Sequence, residues 1–396
     1  MEMPHQRRLA VLAAHTAHTA HTAGEQPPIV AVTGAAGYVG SWIVKTCLER
    51  GWTVRACVRS VDDERKVGFL KEMPQFGSTL ELCAADMSVR AAYDEIFGGC
   101  SAVFHPAEVM MTFAPGRDVE EAAEKLAGER EEIDRIAMES SGYIVESINA
   151  CPSVRCLVYT SSIAAMMDAS AEFYESDPVV DESRHPGTET LGAGAYNCVK
   201  DRTEIFFAEA AAASGGRWSS VSANPADIIG PILSPHQAAE TWQGKIGGMI
   251  QGIAAEQEHA CVGEFRRPWI TVDVRDCAEA HVRMFERLGD TVHSGDRYLL
   301  SDMSRIHPED IGARLNDLFA DYHVAAIVGP DSNGGDNVEP IHPMWDRVQA
   351  RNDKARAALD FEFTYLDATL KDTVESLVEI GGVEPRMRGL ASHPHT

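Results

Sequence analysis

Two side chains four positions apart, Tyr196 and Lys200, give the sequence its clearest chemical signal. Residues at i and i+4 share one face of a helix, so a lysine ammonium at this spacing can act on a tyrosine phenol. A free phenol has a pKa of about 10, and a neighbouring positive charge favours the phenolate and lowers that value. The pair is therefore suited to moving a proton near neutral pH. The alternative is a tyrosine and a lysine on an ordinary amphipathic helix.

A third candidate, Ser162, lies 34 residues before Tyr196 and follows the apolar run 154–159. That run predicts a buried strand, and the segment that begins at Tyr196 predicts a long helix. The tyrosine–lysine spacing is weak evidence by itself because it also arises by chance. Its weight comes from its position behind this strand-end serine and behind a glycine-rich loop near the start of the chain.

The glycine-rich loop runs from Thr33 to Gly40 and lies between the apolar run 29–32 and a helical pattern. Gly34 allows the tight turn, Gly37 lets backbone amides approach a pyrophosphate, and Gly40 permits close packing of helix on strand. The N-terminus of the helix adds free amide donors and a partial positive charge. Strand, loop, helix and a second strand at 53–59 together predict dinucleotide binding rather than a glycine-rich turn without a ligand.

The end of the second predicted strand indicates which dinucleotide is bound. NAD sites usually have an acidic residue there, which accepts hydrogen bonds from the ribose hydroxyls. This chain has Arg59, with Lys66 a little later, and a guanidinium suits a 2′-phosphate. The alternative is that Arg59 is a solvated loop cation, since Asp62 and Asp63 are close by. The charge pattern favours NADP(H).

Further candidates follow two later strands. Asp86 and Met87 end a strand through Leu80 and Leu82, and Ala107 follows the strand 102–104. Ligands of open parallel sheets lie at the carboxyl ends of the strands. Asp86 is therefore a candidate for the adenine amino group, and Ala107 for the wall of the dinucleotide channel.

Together these elements resemble the extended short-chain dehydrogenase/reductase superfamily over nearly all of residues 28–386. Within it, the chain is most similar to the branch of dihydroflavonol, cinnamoyl-CoA and related aldehyde and ketone reductases. The fold implied is α/β, a Rossmann-type doubly wound parallel sheet with a smaller C-terminal substrate-binding lobe. The segments that carry the resemblance are 54–59, 103–105, 158–162, 181–183, 224–225, 230–231, 272–276, 280–281 and 372–377.

The resemblance implies a role for each catalytic candidate. Tyr196 would donate the proton during carbonyl reduction, Ser162 would orient the substrate oxygen, and Lys200 would also bind the nicotinamide ribose. The cofactor would supply the hydride. The implied NADP(H) contacts are Gly34, Gly37, Tyr38, Val39, Gly40, Arg59, Lys66, Asp86, Met87, Ala107, Tyr196, Lys200, Pro225 and Ile228.

Two departures from this branch bear on the substrate. Met167 stands where dihydroflavonol reductases typically carry an asparagine that contacts the flavonoid ring. The Asn-Trp-Tyr-Cys-Tyr signature of cinnamoyl-CoA reductases is also missing, because 191–195 has a different sequence. The first difference, Met167, weakens a flavonoid assignment and favours a more apolar carbonyl compound.

The implied domain organisation places the substrate lobe after the NADP-binding domain, with one return to it. Three histidines in the N-terminal segment, His15, His18 and His21, could bind a divalent metal, but a disordered low-complexity tail is favoured and no metal site is expected. The predicted ranges are 1–27 for this tail, 28–225 with 271–290 for the NADP-binding domain, 226–270 with 291–386 for the lobe, and 387–396 for a second tail.

Composition excludes several classes of partner. The 396 residues include 35 Lys and Arg against 60 Asp and Glu, a formal net charge of −25, which disfavours nucleic acid and anionic lipid. No apolar run approaches the ~18 residues of a membrane helix. The nine cysteines form no CxxC motif and indicate reduced thiols, hence a cytoplasmic location.

The sequence therefore predicts an NADPH-dependent reductase that converts an aldehyde or ketone, aromatic and flavonoid-like compounds included, to an alcohol. Its partner would be a small carbonyl substrate, and the chain would be a monomer or a homodimer. One alternative is a 3β-hydroxysteroid-type dehydrogenase. Another is a non-catalytic NADP-sensing regulator, although such proteins usually lose the Tyr/Lys pair that is retained here as Tyr196 and Lys200.

Overall fold

The computed structural model describes most of the chain, and the predicted N-terminal tail with its three histidines lies almost wholly outside the described residues. The segment 191–193, part of the missing cinnamoyl-CoA reductase signature, also lies outside them. The described residues are 26–75, 77–108, 119–167, 179–186, 194–239, 241–253, 269–325 and 348–389.

The strands, in chain order, are β1 (Ile29–Val32), β2 (Thr53–Val58), β3 (Thr79–Ala84), β4 (Ala102–His105), β5 (Cys156–Thr160), β6 (Val179–Val180), β7 (Ser219–Pro225), β8 (Asp227–Ile229), β9 (Trp269–Asp273), β10 (Arg297–Leu300), β11 (Arg305–Ile306) and β12 (Gln349–Ala350). The helices are α1 (Tyr38–Glu49), α2 (Glu64–Lys71), α3 (Asp94–Phe97), α4 (Val119–Ala150), α5 (Gly194–Ala213), α6 (Thr241–Ile250), α7 (Val274–Glu286), α8 (Pro308–Leu318), α9 (Asp353–Leu359) and α10 (Leu366–Glu379). Two short 3₁₀ turns span Ile163–Met166 and Pro235–Ala239.

Seven strands form one parallel sheet in the order β10-β7-β5-β4-β1-β2-β3. The strand order reverses between β1 and β4, where the crossovers pass to opposite faces of the sheet. In such sheets the crevice outside the carboxyl ends at this point is the usual ligand site. The predicted doubly wound α/β fold is confirmed.

Burial on both faces explains why the central strands are apolar. Every residue of β4 and of β5 is buried. One hydrophobic cluster includes Trp42 of α1 and Cys277 of α7, and a second cluster includes Ile144 of α4 and Phe207 of α5. The two clusters lie on opposite faces of the main sheet. Helices therefore cover both faces, as a parallel sheet requires.

The second half of the chain both completes the main sheet and builds smaller ones. Strands β8, β9 and β11 form a three-stranded sheet, and β6 pairs with β12. Helix α7 returns to pack on α1, within the range 271–290 predicted to rejoin the first domain. Strand β10 pairs with β7 in the main sheet, so the predicted lobe range 291–386 includes a strand of the Rossmann sheet.

No helix that the structure describes is both long and apolar enough to span a membrane.

Candidate active site

The glycine-rich loop between β1 and α1 is packed too tightly for larger residues. Gly34 has a φ of +58°, and a Cβ placed on it would lie 3.0 Å from Cα of Ala107. A Cβ on Gly40 would lie 2.3 Å from the carbonyl oxygen of Gly34. Helix α1 begins after Gly37 without a capping side chain. Such an uncapped helix start presents amide donors and a partial positive charge, which fit a dinucleotide pyrophosphate.

The first two residues of α1, Tyr38 and Val39, contribute unequally to this predicted pyrophosphate site. The side chain of Tyr38 is buried, and its hydroxyl donates to the carbonyl oxygen of Gly230 at 2.7 Å. The Tyr38 phenol is therefore already engaged by the fold, and only its backbone amide is left to serve the predicted cofactor role. Val39 is half-buried and packs against the main hydrophobic cluster.

The ends of β2 and β3 bring opposite charges together. Asp86 accepts hydrogen bonds from the backbone and hydroxyl of Ser88 at 2.9 and 2.7 Å. These bonds, together with the charge of Arg59, hold the pKa of Asp86 below its usual range. Arg59 and Lys66 are exposed, so both cations are accessible to a phosphate. The structure therefore places Arg59 close enough to Asp86 for their charges to interact.

The end of β4 adjoins the glycine loop through a chain of polar contacts. Thr33 Oγ1 lies 2.7 Å from Nδ1 of His105 and accepts from the amide of Ala107 at 3.3 Å. Burial, with the charge of Lys200, lowers the pKa of His105 to about 3. The imidazole is therefore neutral, and its contacts indicate a structural role.

The three predicted catalytic residues meet at the end of β5. Ser162 follows β5, and its hydroxyl accepts from the amide of Ala164 at 3.1 Å. Ser162 lies beside Tyr196 and favours its phenolate form, and Lys200 Nζ lies 5.7 Å from the centre of the Tyr196 ring. Helix α5, which carries Tyr196 and Lys200, packs directly on the 3₁₀ turn after Ser162.

Lys200 is fixed by the strand beneath it. Its Nζ donates to the carbonyl oxygen of Thr160 at 3.1 Å. The hydroxyl of Thr160 lies 2.7 Å from Nε2 of His281, whose Nδ1 lies 2.7 Å from the carbonyl oxygen of Cys277. Since a carbonyl oxygen only accepts, Nδ1 is the donor there, and Nε2 accepts from Thr160. Helix α7 thus holds the strand end on which Lys200 rests.

A carboxylate that the sequence did not single out completes the cluster. Oε1 of Glu108 lies 2.8 Å from Nζ of Lys200, whose side chain is 2% exposed against 34% for Glu108. Burial alone lowers the pKa of Lys200, but the charges of Glu108 and Tyr196 reverse this and raise it. The available signal was position: Glu108 comes three residues after His105, at a strand end where side chains of a parallel sheet converge.

The same carboxylate corrects one expectation. The sequence predicts that Lys200 lowers the pKa of Tyr196, and its charge acts in that direction. Burial and the negative charge of Glu108 outweigh the opposing effects of Lys200 and Ser162, so the pKa of Tyr196 is raised above its ordinary value. The predicted ammonium–phenol contact is present, but its electrostatic effect is not dominant in the chain alone.

Several of the predicted residues line one shared pocket. Met87, Ala107 and Tyr196 lie around it together with Glu108. Pro225 ends β7 and is buried, and Ile228 is half-buried in β8. Among the described residues no group of three or more His, Cys, Asp or Glu side chains is arranged to hold a metal.

Met167, the residue predicted to make the substrate site more apolar, follows the 3₁₀ turn that begins after Ser162. Its side chain is half-buried and packs against the main hydrophobic cluster. Asn197 Nδ2 donates to its backbone carbonyl oxygen at 3.0 Å, so the helix that carries Tyr196 also holds this segment.

Comparisons with known proteins agree with the doubly wound fold and with its glycine-rich loop. A model of the NAD dependent epimerase/dehydratase family matches residues 30–299. The chain belongs to this family. It lies in the extended short-chain dehydrogenase/reductase superfamily, in the branch of dihydroflavonol and cinnamoyl-CoA reductases, as the motifs predicted.

Individual relatives span most of the chain. Cinnamoyl-CoA reductase CAD2 of Medicago truncatula is 30% identical over 89% of this chain and 96% of its own length. Dihydroflavonol 4-reductase of Callistephus chinensis is 29% identical over 76% and 75%. The crystal structure of yeast methylglyoxal/isovaleraldehyde reductase Gre2, complexed with NADPH, superposes with a TM-score of 0.65 at 21% identity, covering 90% of this chain and 100% of that one.

Proposed function

We propose that this chain is an NADPH-dependent reductase that converts an aldehyde or ketone to an alcohol. The observation that carries the proposal is the meeting of Ser162, Tyr196 and Lys200 at the carboxyl end of β5, in the same sheet edge as the glycine-rich loop. The proposal is supported by the similarity to cinnamoyl-CoA and dihydroflavonol reductases. It is also supported by the similar fold of Gre2, whose structure was solved with NADPH.

In the proposed mechanism the protein residues bind, orient and move one proton. The hydroxyl of Ser162 holds the substrate oxygen, and the phenol of Tyr196 donates its proton to that oxygen. Lys200 stabilises the phenolate that forms and hydrogen-bonds the cofactor ribose. NADPH, when bound, supplies the hydride. The alcohol product therefore receives its carbon-bound hydrogen from the cofactor and its oxygen-bound hydrogen from Tyr196.

The proposed cofactor site follows the carboxyl edge of the sheet. Gly34, Gly37 and Gly40, with the amides of Tyr38 and Val39, would hold the pyrophosphate. Arg59 and Lys66 would hold the 2′-phosphate, since both are exposed cations at one end of the site. The remaining proposed contacts are Asp86, Met87 and Ala107 towards the adenosine, and Pro225 and Ile228 towards the nicotinamide.

The proposed substrate is an apolar carbonyl compound bound between this edge and the C-terminal lobe. The half-buried, core-packed side chain of Met167 supports this choice, because Met167 lies five residues after Ser162 and offers no hydrogen-bonding group like the asparagine expected in flavonoid reductases. The proposed location is the cytoplasm. Its support is that the eight cysteines in the described part of the chain form no disulfide with one another, as expected in a reducing compartment.

The test removes only the hydroxyl group of Tyr196. Tyr196→Phe should lower turnover with a panel of aliphatic, aromatic and flavonoid-like carbonyls by about a hundredfold or more, the contribution expected of a general acid. Binding of NADPH, followed by cofactor fluorescence, should be retained. Tyr143→Phe is the matched control, because its hydroxyl bonds Glu139 on the exposed face of α4. Unchanged turnover in Tyr196→Phe would overturn the proposal and favour a nucleotide sensor.

A further inference from the structure

Glu108 is the carboxylate that compensates the buried ammonium of Lys200. A charged amine removed from water is stable only when it is paired and hydrogen-bonded. Nζ of Lys200 has three hydrogens to donate. One points to the carbonyl oxygen of Thr160 at 3.1 Å, and the Glu108 carboxylate lies at 2.8 Å. One donor is left for a ligand, so the ion pair and ribose binding are compatible.

The other groups around Lys200 do not replace this carboxylate. From β4 comes His105, which is neutral, and from β5 come the Tyr159 ring and the Thr160 carbonyl. The helix that carries Lys200 also carries Glu204, but that carboxylate is bonded to Arg297 and Asn224. Among the described residues, Glu108 is the carboxylate that forms an ion pair with Lys200. The groups facing the Lys200–Tyr196 pair are thus Glu108, His105, Tyr159, Ser162, Glu204 and the carbonyl oxygen of Thr160.

We propose that Glu108 is a positioning residue for the proton transfer: it holds the Lys200 ammonium in place and keeps Tyr196 in its protonated, proton-donating form. The inference rests on the proposed reductase function and deepens it. A negative charge beside a phenol disfavours the phenolate, and both residues line one pocket. Glu108 thereby extends towards alkaline pH the range over which Tyr196 can act as an acid.

The direction of the effect follows from charge alone. Reduction needs the protonated phenol, so its rate falls as pH rises through the apparent pKa of the Tyr196–Lys200 pair. Removal of the Glu108 charge should lower that pKa. A like charge at close range shifts a pKa by about one unit or more. Glu108→Gln should therefore lose reductase activity at a pH about one unit lower than the wild type does.

Three variants and two measurements distinguish a positioning role of Glu108 from a purely structural one. Glu108→Gln removes the charge, Glu108→Asp keeps it on a shorter side chain, and Glu146→Gln removes an exposed carboxylate of α4 that pairs with Arg90. The first readout is the pH dependence of kcat/KM for carbonyl reduction. The second needs no cofactor: the tyrosinate absorbance of each protein minus that of the same protein with Tyr196→Phe reports the Tyr196 phenol alone.

We expect both profiles to move to lower pH in Glu108→Gln, to move less in Glu108→Asp and to stay in place in Glu146→Gln. Coincident profiles for Glu108→Gln and the wild type would overturn the proposal. If Glu108→Gln does not fold, Glu108→Ala removes the same charge and decides in its place, and an unshifted profile in that variant overturns the proposal. If no variant reduces any carbonyl, the proposed function fails, whereas the tyrosinate titration still shows whether Glu108 controls Tyr196.

Discussion

The side-chain nitrogen Nδ2 of Asn224 lies 3.0 Å from the backbone carbonyl oxygen of Ser162, which joins the ends of β7 and β5. The same nitrogen donates to Oε1 of Glu204 at 2.5 Å, and Glu204 accepts from Nε of Arg297. Arg297 also donates to the carbonyl oxygen of Ala165 at 2.6 Å. The segment that carries Ser162 is therefore held in place by one buried polar network, formed by Asn224, Glu204 and Arg297.

Glu204→Gln should destabilise the fold, because it removes the nearer carboxylate of the buried Arg297 guanidinium and leaves only that of Asp201, 3.6 Å away. The side chains of Arg297 and Glu204 are 10% and 4% exposed, and a buried charge left wholly unpaired costs about 3–5 kcal/mol, which is the upper bound here because Asp201 remains. In the exposed pair of Arg90 and Glu146, Glu146→Gln should cost less than about 1 kcal/mol. Urea unfolding of both variants measures the difference. Equal losses would show that the network does not stabilise the fold.

Gly40→Ala should abolish NADPH binding and lower stability, since its Cβ would overlap the carbonyl oxygen of Gly34 at 2.3 Å and push α1 from the loop. Gly142→Ala is the matched control in α4, where nothing lies within 4 Å of an added Cβ. In a helix that change should stabilise the fold by about 0.5–1 kcal/mol. Cofactor fluorescence titration and thermal unfolding report both effects. Undiminished NADPH binding in Gly40→Ala would contradict the assignment of this loop.

Arg59→Ala should reduce the preference for NADPH over NADH by about tenfold or more, because a charge-assisted hydrogen bond to phosphate contributes about 1.5–3 kcal/mol. The control is Arg65→Ala, whose side chain is 91% exposed and pairs with Asp63. Dissociation constants for NADPH and NADH give the ratio. An unaltered ratio for Arg59→Ala would mean that its charge serves Asp86 and not the cofactor.

The sequence by itself determined the fold class, the family and the order of the glycine loop, Ser162, Tyr196 and Lys200. Local rules suffice for these features. The glycine loop, the buried parallel strands and the four-residue spacing of Tyr196 and Lys200 can each be recognised from a short stretch of sequence. Accordingly, the family match covers 30–299 and the sheet has the predicted type.

Only the tertiary structure decided what surrounds the phenol. Glu108 lies 92 residues before Lys200 in sequence, yet its carboxylate is 2.8 Å from the ammonium, because Glu108 follows β4 and Lys200 reaches from α5 to the end of the neighbouring strand β5. Burial and that one charge reverse the pKa shift expected for Tyr196 from its nearest helical neighbour. Asn224 and Arg297 reach the Ser162 segment in the same way, from β7 and β10. Electrostatic effects depend on the distance between charges and on their burial. The spacing of residues along one helix gives neither of these for groups on other elements.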